Sequence, residues 1–195
     1  MDTNKILFIN ACVREQSRTR RLADRLLSNM SGEISEVKIT DIDFPKADEA
    51  FLNQRDTLIA EKAFNSPVFS CAREFASADI IVIAAPFWDL SFPSALKQYF
   101  EQININGLTF RYTEEGIPEG LCRAGKLYYI TTAGGKIYSD EYGFGYVKAL
   151  AQGFYGIPDI IQIKAEGLDI AGADVERILQ EAFEDIDRIS ADTCK

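Results

Sequence analysis

Histidine is missing altogether from the 195 residues of this chain. Its absence removes the imidazole base on which Ser–His and Cys–His nucleophile arrangements depend, and with it the commonest zinc ligands. Cysteine is scarce: the four residues Cys12, Cys71, Cys122 and Cys194 form no CxxC pair and have no metal-ligand spacing. They read as reduced thiols, neither a disulfide framework nor a metal site. Long apolar runs are lacking as well, since the longest, residues 80–88, falls far short of the roughly 20 residues a membrane helix needs. No apolar leader follows Met1, because Asp2, Thr3, Asn4 and Lys5 run directly into a strand pattern, and a cytoplasmic protein is expected. Basic residues are outnumbered, 21 against 30 acidic, for a net charge of −9. That balance argues against a nucleic-acid footprint and against an anionic membrane surface. Any anion this chain binds must therefore be held by a few local groups.

What is present is a repeated strand–loop–helix pattern. The central unit is IIVIAAPFWDLSFPSALKQYF, residues 80–100. Its β-branched, unbroken start is the pattern of a strand buried on both faces of a parallel sheet. Ser91 or Phe92 is expected to cap a helix with Pro93 in its first turn, and Leu96, Tyr99, Phe100 and Ile103 mark that helix's apolar face. Upstream, KILFIN (5–10) reads as the first strand. A helix follows that is capped by Ser17 and striped by Leu22, Ala23, Leu26, Leu27 and Met30. Residues 34–39 form a mixed-polarity strand, expected at an edge. Helices are predicted over 48–62 and 66–77, with Phe44, Phe51, Leu52, Phe64 and Phe69 as core or as a partner-facing surface. Strands at 126–131 and 160–165 and helices at 140–155 and 173–190 complete the chain, while 106–116 reads as a surface excursion.

Five such units without a hairpin signal predict one domain of α/β class, a doubly wound parallel sheet ordered 2-1-3-4-5 with helices on both faces. In that order the loops after strands 1, 3 and 4 line one crevice at the switch point. The first loop offers the Ser17 and Thr19 hydroxyls, the Arg14 or Arg18 guanidinium and free helix-start amides for a phosphate, with a plain capped helix as the competing reading. The third carries Pro86, Phe87, Trp88, Asp89 and Leu90. The fourth carries Thr132, Ala133, Gly134 and Gly135, where two glycines permit close backbone approach to a flat ligand or simply make a turn. No GxGxxG follows the first strand. The GxxxxGK spacing at 120–126 lacks the following Ser or Thr and precedes a strand, which excludes a P-loop. A mononucleotide with a planar ring fits this crevice, and flavin mononucleotide (FMN) fits well.

These residues support a family resemblance. Arg14, Ser17 and Thr19 match the phosphate-loop pattern of flavodoxin-like NAD(P)H-dependent FMN oxidoreductases. The chain resembles in particular the branch of azoreductases and NAD(P)H:quinone oxidoreductases. The most specific stretches are 86–103, with its Pro-aromatic-aromatic loop and the pair Leu96-Lys97, and GLTFRYTEEGIPEG at 107–120. The resemblance implies that Ser17, Arg18 and Thr19 hold the flavin phosphate. It assigns the ring to Pro86, Phe87, Trp88, Asp89 and Leu90, and the other ring edge to Thr132, Ala133, Gly134 and Gly135. It further implies NADH or NADPH as donor, a small quinone, azo or nitro compound as acceptor, no catalytic side chain, no metal, and a homodimer. Ala11-Cys12 stands where relatives often have Gly-Ser, Asp89 where azoreductases commonly carry Asn, and Ala133 where they commonly carry Arg. A flavin electron carrier that does not react with nicotinamide, and a colourless interaction protein, are the alternatives.

Overall fold

Six residues, KILFIN, form strand β1 (Lys5–Asn10), and all but Lys5 are buried because helices cover both faces of the sheet around it. The computed structural model describes residues 3–193, so that Cys194 lies outside the described residues. On one side of β1 runs β2 (Glu33–Lys38) and on the other β3 (Ile80–Ala84). A short hairpin, β4 (Phe110–Tyr112) and β5 (Pro118–Gly120), interrupts the pattern before β6 (Lys126–Thr132) and β7 (Asp159–Ala165) extend the sheet. The five long strands are parallel and ordered β2-β1-β3-β6-β7, the expected 2-1-3-4-5 arrangement with the hairpin left outside it.

Alternation along β3 divides its side chains between two cores. Ile81 and Ile83 face helices α3 (Ser70–Ser77), α4 (Ser94–Ile103) and α5 (Phe144–Leu150), whereas Val82 and Ala84 face α1 (Arg18–Ser28) and α6 (Val175–Thr193). Leu22, Ala23 and Leu26 of α1 are fully buried in the second core, each leucine contributing about 1.5–3 kcal/mol. Helix α2 (Glu49–Ala60) contains no fully buried residue and touches the first core through Leu58 and Ile59. Phe69 is buried, Phe44 and Phe64 pack on the same core, and Leu52 stays exposed. Strand β2 is an exposed edge, as its mixed polarity predicted.

Three local readings are corrected. Helix α4 begins at Ser94 with Pro93 at its N-cap position and no side-chain capping bond, so neither Ser91 nor Phe92 caps it and Pro93 precedes its first turn; Ser91 is held just upstream in a hairpin turn with Trp88. Helix α5 starts at Phe144, not Asp140, because the Asp140 carbonyl accepts the Gly145 amide at 2.7 Å in a separate turn; it ends in a π-turn, Ala151–Tyr155. The stretch 106–116 is no plain excursion, since Phe110 pairs with Gly120 and Tyr112 with Pro118. Gly120, the first glycine of the GxxxxGK spacing, has a packing role: a Cβ there would lie 2.2 Å from the Gly156 nitrogen.

Candidate functional site

The carboxyl ends of the three central strands are level, because Asn10, Ala84 and Ile130 occupy one register row. Pairing continues past them: the Ala11 amide reaches the Ala84 carbonyl at 2.8 Å, and the Phe87 amide the Thr132 carbonyl at 2.9 Å. The loops after β1, β3 and β6 are thereby locked around one crevice at the switch point.

The first loop is anchored from beneath. Asn10, buried at the end of β1, accepts the Cys12 amide at 2.9 Å and donates to Glu36 at 2.8 Å. Glu36 in turn holds the Arg20 guanidinium at 2.5 and 3.2 Å, and that guanidinium lies over the Phe8 ring. Burial alone would raise the Glu36 carboxyl; hydrogen bonds from Asn10 and Arg20 outweigh it and hold the group below the ordinary carboxylate value. Helix α1 begins under a conventional cap, with Ser17 Oγ accepting the Arg20 amide at 3.2 Å. The Ser17 hydroxyl also shares a side-chain hydrogen bond with the Cys12 thiol.

Thr19 and Thr132, the predicted hydroxyls of the first and fourth loops, meet each other. Their oxygens are 2.7 Å apart in a buried contact between α1 and the end of β6. Because each hydroxyl carries one hydrogen, the pair uses one and keeps the other. Arg18 reaches across the crevice to Asp169, Nη1 to Oδ1 at 2.8 Å, and Arg14 stands exposed on the rim.

Together these groups line a cleft of ≈ 320 Å³. Arg14, Ser17, Arg18 and Thr19 form one end, Pro86, Phe87 and Trp88 one wall, and Thr132, Ala133 and Gly134 the other. Three predicted residues stand outside this lining. Gly135 is turned toward Gly167, whose amide it accepts at 2.9 Å. Asp89 and Leu90 are the two central residues of a tight turn in which Trp88 and Ser91 exchange both backbone hydrogen bonds, at 3.0 and 2.8 Å. Their φ angles are +50° and +68°, the type I′ geometry that favours Asn-Gly and strains a leucine. The turn is pinned by Ser91 Oγ, which donates to the Tyr142 carbonyl at 2.5 Å.

Sequence reasoning missed Val13, Gln16, Leu168 and Asp169, all on the cleft wall. Leu168 and Asp169 arrive because the segment after β7 continues to pair with the β6 loop: their amides bond the Ala133 and Gly134 carbonyls at 3.2 and 2.9 Å. The available signal was topological, since strand 5 neighbours strand 4 in the predicted order and its outgoing loop must flank the same crevice.

Among the described residues the thiols are not poised for chemistry. Burial raises Cys12, in the first loop, and Cys71, and pushes Cys122 up to about 12, so these groups stay protonated at neutral pH. Among the described residues no group of three or more His, Cys, Asp or Glu could hold a metal, and no helix is long and apolar enough to cross a membrane.

Comparison with known proteins agrees with this architecture. A family model described as flavodoxin-like fold matches residues 4–189. The chain is similar to a Clostridium beijerinckii protein named FMN-dependent NADH:quinone oxidoreductase, 37% identical over 190 residues that cover 93% of this chain and 95% of the relative. A protein of the same name from Coprothermobacter proteolyticus is 33% identical, covering 95% and 98%. Among solved structures, an FMN-dependent NADH-azoreductase from Bacillus anthracis in complex with FMN superposes with a TM-score of 0.80 at 25% identity, covering 98% of this chain and 100% of the other.

Proposed function

Because the chain belongs to the flavodoxin-like fold family, and its relatives at 33–37% identity over most of the chain are named FMN-dependent NADH:quinone oxidoreductases, we propose that it binds FMN in the cleft and passes electrons from NADH to a small quinone, azo or nitro acceptor. One observation carries the reading: a phosphate-type donor set, an aromatic wall and a glycine-bearing wall converge in a single cleft of ≈ 320 Å³. The donor set suits a phosphate monoester at one end and a flat heterocycle along the walls.

In this reading Ser17 turns its hydroxyl hydrogen from the Cys12 thiol to the phosphate, the first amides of α1 point at the same place, and Arg18 and Arg14 supply positive charge. The hydroxyl hydrogen left over in the Thr19–Thr132 pair gives one further donor. Pro86, Phe87 and Trp88 hold one side of the ring, with Asp89 and Leu90 fixing the turn behind them. Thr132, Ala133 and Gly134 hold the other edge, with Gly135 fixing the loop behind them through Gly167, and the bond from the Phe87 amide to the Thr132 carbonyl keeps the two walls at a set separation. The bound flavin supplies two-electron chemistry, which is why the chain needs no histidine. Trp88, 40% exposed, offers an aromatic face for a planar acceptor. The protonated thiols of Cys12, Cys71 and Cys122 stay out of the reaction.

The protein works, in the same reading, as one domain, in the cytoplasm, and as a homodimer. Helix α2, with no fully buried residue and with Leu52 exposed, supports an interface on that side. The test is to load the protein with FMN and add NADH under argon. Bleaching within seconds, reversed by a quinone, is the expected result; bound flavin that stays oxidised would instead indicate an electron carrier, and no flavin binding would reject the cofactor. Light scattering at micromolar concentration is expected to give the mass of a dimer.

A further inference from the structure

Arg18, at the phosphate end of the cleft, already has an ionic partner on the cleft wall. Its Nη1 lies 2.8 Å from Asp169 Oδ1, and that carboxylate is held in a definite place. The Asp169 amide bonds the Gly134 carbonyl at 2.9 Å, the preceding Leu168 is buried, and Asp169 Oδ2 lies 2.3 Å from where a Cβ on Gly134 would stand. One acidic side chain thus touches both ends of the site: the guanidinium at the phosphate end and the glycine at the ring edge.

We propose that Asp169 is a built-in competing anion that sets the affinity of this cleft for the FMN phosphate. The proposal rests on the FMN reading above. A phosphate monoester brings nearly two negative charges, and it meets an arginine whose charge a carboxylate has already neutralised. Both partners of that ion pair are substantially exposed, with side chains 37% and 68% accessible. The pair is therefore weak and yields to a stronger anion. Displacing it leaves the Asp169 charge close to the incoming phosphate and to Gly134, so the same carboxylate opposes binding twice. The consequence is a cofactor held less tightly than the donor set alone would hold it.

Asp169→Asn is the informative variant, because it removes the charge and keeps the shape against Gly134. FMN titration by fluorescence quenching is expected to show about three- to ten-fold tighter binding than wild type, with the gain shrinking in high salt. Riboflavin, which lacks the phosphate, is expected to change by less than about two-fold. Arg18→Ala is expected to weaken FMN more in the Asp169→Asn background than in wild type, since the arginine is then fully available. Unchanged or weaker FMN binding in Asp169→Asn overturns the proposal. So does an Arg18→Ala penalty that becomes smaller in that background, which would make Asp169 a support that positions Arg18. Failure of the wild type to bind FMN at all is a different result, and rejects the cofactor assignment itself.

Discussion

Replacing Thr19 by valine should damage the protein more than replacing Thr19 and Thr132 together. Valine keeps the branched shape of threonine, so Thr19→Val opens no cavity and changes only the hydroxyl. The oxygens of the two residues are 2.7 Å apart, and the residues are 1% and 8% exposed. The single substitution forfeits that hydrogen bond and leaves the Thr132 hydroxyl buried with a valine methyl in place of its partner, a penalty of about 1–3 kcal/mol. With a urea m-value of about 2–3 kcal/mol/M, a loss near 2 kcal/mol lowers the denaturation midpoint by roughly 0.7–1 M. In Thr19→Val/Thr132→Val both polar groups are gone and two methyls meet, so stability returns to within about 1 kcal/mol of wild type. FMN affinity follows a different course: the double variant has lost the spare hydroxyl hydrogen and binds FMN more weakly than wild type despite its recovered stability. Urea titration of the flavin-free protein, beside FMN titration of wild type, Thr19→Val, Thr132→Val and the double variant, separates the two effects. Strictly additive destabilisation, or a single-variant loss below about 0.5 kcal/mol, would refute the view that these hydroxyls satisfy each other.

Further predictions concern the loops and their anchors. Ser17→Ala removes a helix cap and a phosphate donor at once, so it is expected to cost about 1 kcal/mol of stability and to weaken FMN about ten-fold; unaltered FMN affinity would reduce Ser17 to a cap. Leu90→Gly relieves an exposed leucine at φ +68° and is expected to raise Tm by about 1–4 °C, the strain relief exceeding the added chain entropy of glycine; a fall in Tm counts against the strain. Glu36 sits below its ordinary 4.5 in the folded state, so the folded protein binds fewer protons than the unfolded chain, and Glu36 contributes stability that is present above about pH 4.5 and lost as pH falls through the folded value. Glu36→Gln should flatten the Tm-against-pH curve below that point, and an identical acid limb in wild type and variant would contradict the assignment. Gly120→Ala forces a Cβ to within 2.2 Å of the Gly156 nitrogen and is expected to cost about 2 kcal/mol or more by urea denaturation.

The sheet was legible because strands covered on both faces must be apolar at nearly every position, as in residues 6–9 and 80–84, and that pattern survives without any neighbour's help. The cleft followed from topology: once strands 1, 3 and 4 are placed, the loops bearing Ser17, Trp88 and Gly134 have nowhere else to go. The hairpin at Phe110 and Gly120 was hidden because its strands are three residues long, too short for alternation to register. Asp169 was hidden because what brings it to the site is backbone pairing with Gly134, which leaves no mark on the side chains involved. The turn at Asp89 and Leu90 ran against residue preference, and positive φ at a leucine is dictated by the reciprocal Trp88–Ser91 bonds. Likewise the Thr19–Thr132 contact joins residues 113 apart in the chain, and each alone reads as a free ligand donor.

The chain of hydrogen bonds from Asn10 through Glu36 to Arg20 has a consequence for the dynamics of the sheet. An edge strand such as β2 is ordinarily free to fray in local openings that leave the rest of the fold intact. Here Glu36 of that strand is bonded to Asn10, which holds the Cys12 amide, and to Arg20 of the helix that Ser17 caps. Opening the edge therefore slackens the loop on which the phosphate would rest. The coupling is reciprocal, so a ligand that stiffens the loop slows amide hydrogen exchange in the Glu33–Lys38 strand, and the outermost strand of the sheet reports occupancy of a site it never touches.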